Sequence, residues 1–285
     1  MLTPAQRHFQ RVMAERRGLA DEESDIQRTA HEQILHRLRL DQSRLKGVQS
    51  DATKAEMKAA MLPEYEGWIE GTLDGDSGRQ DEVISTLMVW AIDCQQYALA
   101  LALGSYVVRH GLRLPDSFNR DAATFFTEEI SNPVLTLAAV DADADLSGHT
   151  ATLDEVAGIT TDSDMPDVVR AKLCKARAFS RRGAADVTTK AEALALFREA
   201  LTRNPNAGVK KEIATLARDI KKLSADSVAE VRELHAADQS AASTVVAVKN
   251  TTGTTTAVST TVRKTTRKAA PGKRPGRKAV TQKQN

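Results

Sequence analysis

The sequence predicts an all-α protein: a long N-terminal coiled-coil-like helix, helical hairpins with packing like that of tetratricopeptide (TPR) repeats, and a disordered basic C-terminal tail. Three observations predict it. The composition is 41% hydrophobic but only 4% aromatic, and Ala, Leu, Thr, Arg and Glu are abundant, a mix that favours helices over strands. Apolar residues recur at helical spacing along most of the chain before Asp238. Charge then separates: Asp238 is the last acidic residue, and ten cations follow it, while the chain up to that point holds 30 basic and 38 acidic residues. Segregation of this kind implies a polyanionic partner for the tail.

Taken in order, residues 1–24 are polar, with one short helix from Ala5 to Arg17 that Gly18 ends. Residues 25–62 read as a single long helix, because no Pro lies between Ile26 and Leu62 and only Gly47 interrupts good helix formers. A 4-3 spacing runs through Ile34, Leu38, Asp41, Leu45, Val48, Ala52, Ala55, Ala59 and Leu62. That is a coiled-coil-like seam, which packs either on the chain's own later helices or on a second copy. Asp41 is its polar exception, and such a residue either sets register or faces solvent.

Pro63 marks a break. A short helix over 64–73 then carries Tyr65, Trp68, Ile69 and Leu73 on one face, and Asp74 to Gly78 form a turn by composition. Helices over 80–92 and 95–111 follow. The second is small and apolar from Ala98 to Leu103, which implies burial on most sides, and Gly111 and Pro115 close it. Another helix begins near Thr127 and is interrupted near Pro133; residues 141–150 are an acidic loop, and 151–158 a short helix. Residues 166–182 place Val169, Leu173, Ala176 and Phe179 on one face, and 189–203 place Ala193, Leu194, Phe197, Ala200 and Leu201 on another. The spacing of Ala193, Phe197, Ala200 and Pro205 matches the second half of a TPR-type hairpin. A third helix covers 207–235. Residues 239–285 are Thr-rich and then basic, with too few large apolar side chains to fold alone. The organisation expected is an N-terminal helical segment (1–62), a central helical domain (63–160), a TPR-like hairpin region (161–238) and a basic tail (239–285).

Several chemistries are excluded or left without a motif. No stretch of about 18 apolar residues exists, so no membrane span is expected. Met1 to His8 carries no apolar core, which argues against secretion. Cys94 and Cys174 are expected as buried thiols in a reducing compartment. None of His8, His31, His36, His110, His149 and His235 shows zinc spacing, and no Gly-rich Lys-Ser/Thr phosphate loop occurs, so the chain is not itself an ATPase. A metal-dependent nuclease needs clustered carboxylates. The candidates are Asp74, Asp76, Asp81, Glu82, Asp93, Glu128 and Glu129, each of which reads equally as an ordinary turn, capping or surface residue. The sequence therefore shows no catalytic motif. The tail offers Arg263, Lys264, Arg267, Lys268, Lys273, Arg274, Arg277 and Lys278, which can displace counterions from a phosphate backbone and so bind double-stranded DNA in a salt-sensitive way. A second basic group, Arg37, Arg39, Arg44 and Lys46, lies on the N-terminal helix, diluted by Asp41 and Asp51.

Several segments in order resemble one family: Thr3 to His8, His31-Glu32-Gln33, Gln80-Asp81-Glu82 with Trp90, Tyr106 to Pro115, Phe126 to Glu129, Asp164 to Asp167 with Arg170 to Leu173, and Ala207 to Ile213. Their order and spacing are similar to the GpM-type small terminase subunit (terminase endonuclease subunit) of temperate tailed bacteriophages that package from cohesive-end sites, over about residues 3–222. The resemblance implies DNA recognition at the cohesive-end site, cleavage of concatemeric DNA together with a large ATPase subunit, and packaging into proheads in the cytoplasm of the bacterial host. It also implies a homo-oligomer, and an endonuclease label that would call for Mg2+ if this chain itself cuts. The chain otherwise needs no cofactor. The alternative is a non-catalytic adaptor that recognises DNA, oligomerises and directs the nuclease of the large subunit.

Overall fold

The computed structural model describes residues 2–17, 25–115 and 120–225; these form helices and turns, with no strand among them. Contacts divide the chain into two units, Met1–Glu230 and Val231–Asn285, and every described residue belongs to the first.

Helix α1 (Pro4–Arg16) starts at Thr3, whose hydroxyl accepts from the Gln6 N–H while the Gln6 side chain returns to the Thr3 backbone. The predicted long helix is in fact two, α2 (Asp25–Lys46) and α3 (Asp51–Met61). Gly47 lets α2 end, and Ser50 restarts the helix by accepting from the Thr53 N–H. The first half of the seam is core: Ile34, Leu38 and Leu45 are buried among the chain's own helices. Of the second half, Leu62 is buried, Val48, Ala55 and Ala59 are half-buried, and Ala52 is exposed. Asp41 does not face solvent. It is buried, accepting from the Tyr65 hydroxyl at 2.8 Å and from Arg44 at 2.9 Å. Burial and that hydrogen bond push the Tyr65 hydroxyl far above the usual tyrosine range, so it serves as a fixed donor.

A 3-10 turn (Leu62–Tyr65) leads into α4 (Glu66–Gly75), the main partner of α1. Gly67, Gly71 and Gly75 lie four apart on one side of α4. A Cβ at Gly67 would come 2.6 Å from the Arg7 carbonyl oxygen; one at Gly71 would overlap the Arg11 carbonyl and lie 2.8 Å from the Ala14 Cβ; one at Gly75 would overlap the Glu15 carbonyl. Arg7, Arg11 and Glu15 are themselves four apart, so two i, i+4 rows meet at backbone distance.

Helices α5 (Glu82–Asp93) and α6 (Tyr97–Arg109) follow, and every residue of α5 from Val83 to Ile92 is buried. Ala98 and Ala102 of α6 are exposed, contrary to the expected burial on most sides; its core face is Ala100, Leu101, Leu103 and Gly104, the last packed under the Phe126 ring. Helix α7 (Ala122–Val140) begins at the Asp121 cap rather than near Thr127 and runs through Pro133 without interruption. Proline there removes one helix hydrogen bond, and the burial of Ile130, Val134 and Ala138 on either side outweighs that loss.

After a 3-10 turn (Ser147–His149) come α8 (Thr150–Ile159), α9 (Asp167–Arg181) and α10 (Val187–Arg203). Arg181 at the end of α9 reaches Glu192 near the start of α10 at 3.4 Å, and Arg203 at the end of α10 reaches Asp167 at 3.6 Å, so the two helices are antiparallel. Phe179 and Phe197 meet edge-to-face at 5.1 Å between centroids. The predicted core positions of α9 and α10 are buried, except Leu201, which is half-buried. Helix α11 spans residues 210–225 as far as it is described, and the remainder of the predicted 207–235 helix lies outside the described residues.

Candidate nucleic-acid interface

The acidic candidates for a nuclease centre are dispersed, and five of them are already partnered. Asp81 is buried at the start of α5. It caps that helix through the Val83 N–H at 2.8 Å, and it accepts from Arg17 at 2.6 Å and from the Trp68 indole at 3.0 Å. Its carboxylate thus ties α1, α4 and α5 together. Asp76 ends α4 in the left-handed region at φ 42° and accepts from His110 Nε2 at 2.7 Å and from Arg109. The His110 bond, with Arg109 beside it, holds the Asp76 carboxyl below its usual range. Asp93 takes Lys58 from α3. Glu128 is held by Arg120 at 2.6 Å and Lys172 at 2.7 Å, and Glu129 by the same Arg120 at 3.0 Å. Asp74 and Glu82 are exposed and lie on different elements. Among the described residues, no group of three or more His, Cys, Asp and Glu side chains is placed to hold a metal ion. The five partnered carboxylates do not fit a magnesium centre, because cations occupy lone pairs that an ion would need, and Asp74 and Glu82 do not come together to make one.

The thiols and imidazoles are equally scattered. Cys174 is buried, and burial pushes its thiol up to about 11. Cys94 is only half-buried, unlike the expectation of a buried thiol; it donates to the Ala55 carbonyl, and burial raises its thiol as well. His31 stacks on Trp68, His110 lies against Tyr106, and His149 meets the edge of Tyr97.

The cations divide into two kinds. In α9 and its C-cap all are engaged within the fold: Lys172 with Glu128, Arg177 and Arg181 with Asp154, the cap residue Arg182 with Glu212 and the Ala142 carbonyl, Lys175 with the Ala207 carbonyl, and Arg170 with the Thr161 and Ser163 carbonyls. On α2, Arg37 is engaged by Glu64 and Arg44 by Asp41, so of the N-terminal group only Arg39 and Lys46 remain exposed without an ion pair among the described residues. The outward face of α11 carries a further exposed set, Lys210, Lys211, Arg218, Lys221 and Lys222; the first two fall in the Ala207 to Ile213 segment, but the sequence did not show the five as one face. Arg263, Lys264, Arg267, Lys268, Lys273, Arg274, Arg277 and Lys278 lie outside the described residues. No helix among the described residues is long and apolar enough to cross a membrane.

A family model described as phage small terminase subunit matches residues 35–168. The chain is 37% identical over 222 residues to the terminase, endonuclease subunit of Escherichia phage P2, an alignment that covers 78% of this chain and 87% of that protein. No solved structure matches it.

Proposed function

The chain belongs to the phage small terminase subunit family, and from that premise we propose that it binds double-stranded DNA at the cohesive-end site and acts with a large ATPase subunit in cutting concatemeric DNA and packaging it into proheads, in the cytoplasm of the bacterial host. The observation that carries the DNA-binding part is the separation of charge. Ten cations follow the last acidic residue, against an anionic body, which is the arrangement that releases counterions from a phosphate backbone without repelling it. On this reading residues 239–285 hold DNA through Arg263, Lys264, Arg267, Lys268, Lys273, Arg274, Arg277 and Lys278. The body over 1–62, 63–160 and 161–238 supplies self-assembly and the docking surface for the ATPase subunit. Deleting 239–285 weakens duplex binding sharply at about 0.1 M salt and leaves helical circular dichroism of the body in place. Unchanged affinity in the deletion would rule the tail out. Light scattering of the full chain reads self-assembly directly, and a monomer at every concentration tested would remove that part of the reading.

Where the cutting occurs separates two readings. The relative's name supports a nuclease in this subunit. The ion pairs at Asp76, Asp81, Asp93, Glu128 and Glu129 favour the other, an adaptor that directs the nuclease of the large subunit. Purified chain incubated with cohesive-end duplex and magnesium, with and without the large subunit, decides between them. Cutting only in the presence of the large subunit is expected of the adaptor. Site-specific cutting by the chain alone, lost in Asp74→Ala or Glu128→Ala, establishes the enzyme.

A further inference from the structure

We propose that the outward face of α11 is a second DNA-contacting surface, a straight cationic stripe that follows the phosphate backbone; the proposal rests on the DNA-binding reading above and adds named residues of the body to it. At about 100° per residue, Lys211, Arg218 and Lys222 fall within about 40° of one another around the helix, with Lys210 and Lys221 forming a flanking row. All five are exposed. The opposite side of the helix, with Leu216 buried and Ile213 and Ile220 half-buried, packs on the hydrophobic core. The stripe is therefore fixed in direction by the core behind it.

The two acids of the helix among the described residues do not neutralise it. Glu212 lies to the side and pairs with Arg182, the residue that caps the end of α9, at 3.3 Å, while Asp219 sits about 80° round from Lys211. Lys210, Lys211, Lys221 and Lys222 make no ion pair among the described residues. Arg218 is steadied by the Ala214 carbonyl at 3.2 Å and the Thr215 hydroxyl at 3.3 Å, neither of which compensates its charge. The contrast with α9, where every cation is tied to a carboxylate or carbonyl, marks α11 as the face whose charge is left for an outside anion.

Chemistry also points to the class of partner. Between the cations lie Ala214 and Thr215, and the stripe holds no aromatic or large aliphatic side chain. Protein interfaces are built around apolar and aromatic cores, whereas a phosphate backbone asks only for spaced positive charge. From Lys211 to Lys222 the stripe extends about 16 Å at about 1.5 Å per residue, the axial reach of a few consecutive phosphates at about 3.4 Å per strand.

The test uses the full chain and a labelled duplex, titrated at several salt concentrations. Three proteins are compared with the parent: Lys211→Gln/Arg218→Gln/Lys222→Gln, the charge-matched control Arg11→Gln/Arg113→Gln/Arg198→Gln, and the deletion of 239–285. The stripe variant is expected to lower the slope of log affinity against log salt by about 2–3, at about 0.9 for each phosphate no longer neutralised, with unchanged circular dichroism, while the control keeps the parent slope. Equal reductions in variant and control would mean that net charge alone acts, and would overturn the proposal. So would a parent slope in the stripe variant alongside weakened binding in the deletion, an outcome that leaves the DNA-binding reading standing. Loss of large-subunit pull-down with an unchanged slope would assign the face to a protein and overturn it too. A parent protein that binds no duplex removes both the reading and the stripe.

Discussion

Helices α1 and α4 meet backbone to backbone, whereas α9 and α10 meet through large side chains. The first contact is made by what is missing: Gly67, Gly71 and Gly75 lack the Cβ that would strike the α1 carbonyls. Of α1 itself only Ala14 is buried, and Phe9 stays 43% exposed, so the helix contributes little apolar area. Its anchor is ionic, the buried Arg17–Asp81 pair, where Arg17 also lies over the Trp68 ring at 5.9 Å. The second contact is ordinary core packing, with Phe197 and Ala193 fully buried and Phe179 between the Phe197 edge and the Arg182 guanidinium. A contact closed by shape, the exposed Arg7–Glu66 pair and the buried Arg17–Asp81 pair can come apart locally; a pair closed by buried aromatics cannot open without exposing the core.

Substitutions on either side put that difference to the test. Phe197→Ala removes a fully buried ring and is expected to lower global stability by about 3–5 kcal/mol, read as a shifted urea midpoint with an unchanged slope. A loss under about 1 kcal/mol would show that the hairpin is peripheral. Asp81→Ala removes the hydrogen bonds from Arg17 and the Trp68 indole and the cap of α5, at a cost of about 3 kcal/mol; melting temperature measures it, and an unaffected melt would contradict the hub assigned to this carboxylate. Gly71→Ala forces a Cβ into the Arg11 carbonyl. We expect a loss of about 1–3 kcal/mol that shows mainly as faster tryptic cleavage near Arg16, with the rest of the molecule still protected. Uniform loss of protection would mean that α1 and the core unfold together.

The smallest effect is electrostatic and sits on the α7–α9 side. Burial pushes the Glu128 carboxyl up, but hydrogen bonds from Lys172 and Arg120 outweigh it and hold the group below the ordinary value of 4.5. A carboxylate depressed in the folded state stabilises it above the unfolded value and loses that contribution as pH falls through the folded one. Stability therefore declines as the medium is acidified below about pH 4.5, and Glu128→Gln makes the decline shallower. An identical acid profile in the variant would show that the Arg120 and Lys172 ion pairs contribute nothing to stability.

Much of this fold was legible in the sequence, and the gaps share a cause. Periodicity located the seam residues Ile34, Leu38 and Leu45 and the hairpin residues Phe179 and Phe197, because burial leaves a direct imprint on spacing. It joined α2 to α3 because Gly47 looked like a tolerable interruption, whereas Ser50 supplies a new cap. Pro133 read as a break because the burial that holds α7 straight is tertiary. The glycines at 67, 71 and 75 were visible at a four-residue interval, yet a glycine in a short helix signals weakness until its partner is known. The same holds for charge. Lys172 in α9 and Lys211 in α11 look alike in a sequence, and only the presence of Glu128 beside one of them tells an internal tie from an outward charge. The tail cations were readable from composition alone because nothing acidic follows Asp238.

The two thiols have a practical consequence. With Cys174 raised to about 11 by burial, only roughly one molecule in ten thousand carries its thiolate near pH 7, and Cys94, also raised, is bound to a backbone carbonyl in a half-covered position. Maleimide chemistry at neutral pH is expected to pass over Cys174 and to reach Cys94 more slowly than an open thiol. A cysteine introduced at Thr215, in the open face of α11, would then accept a fluorophore ahead of both and report whether duplex lies against that face.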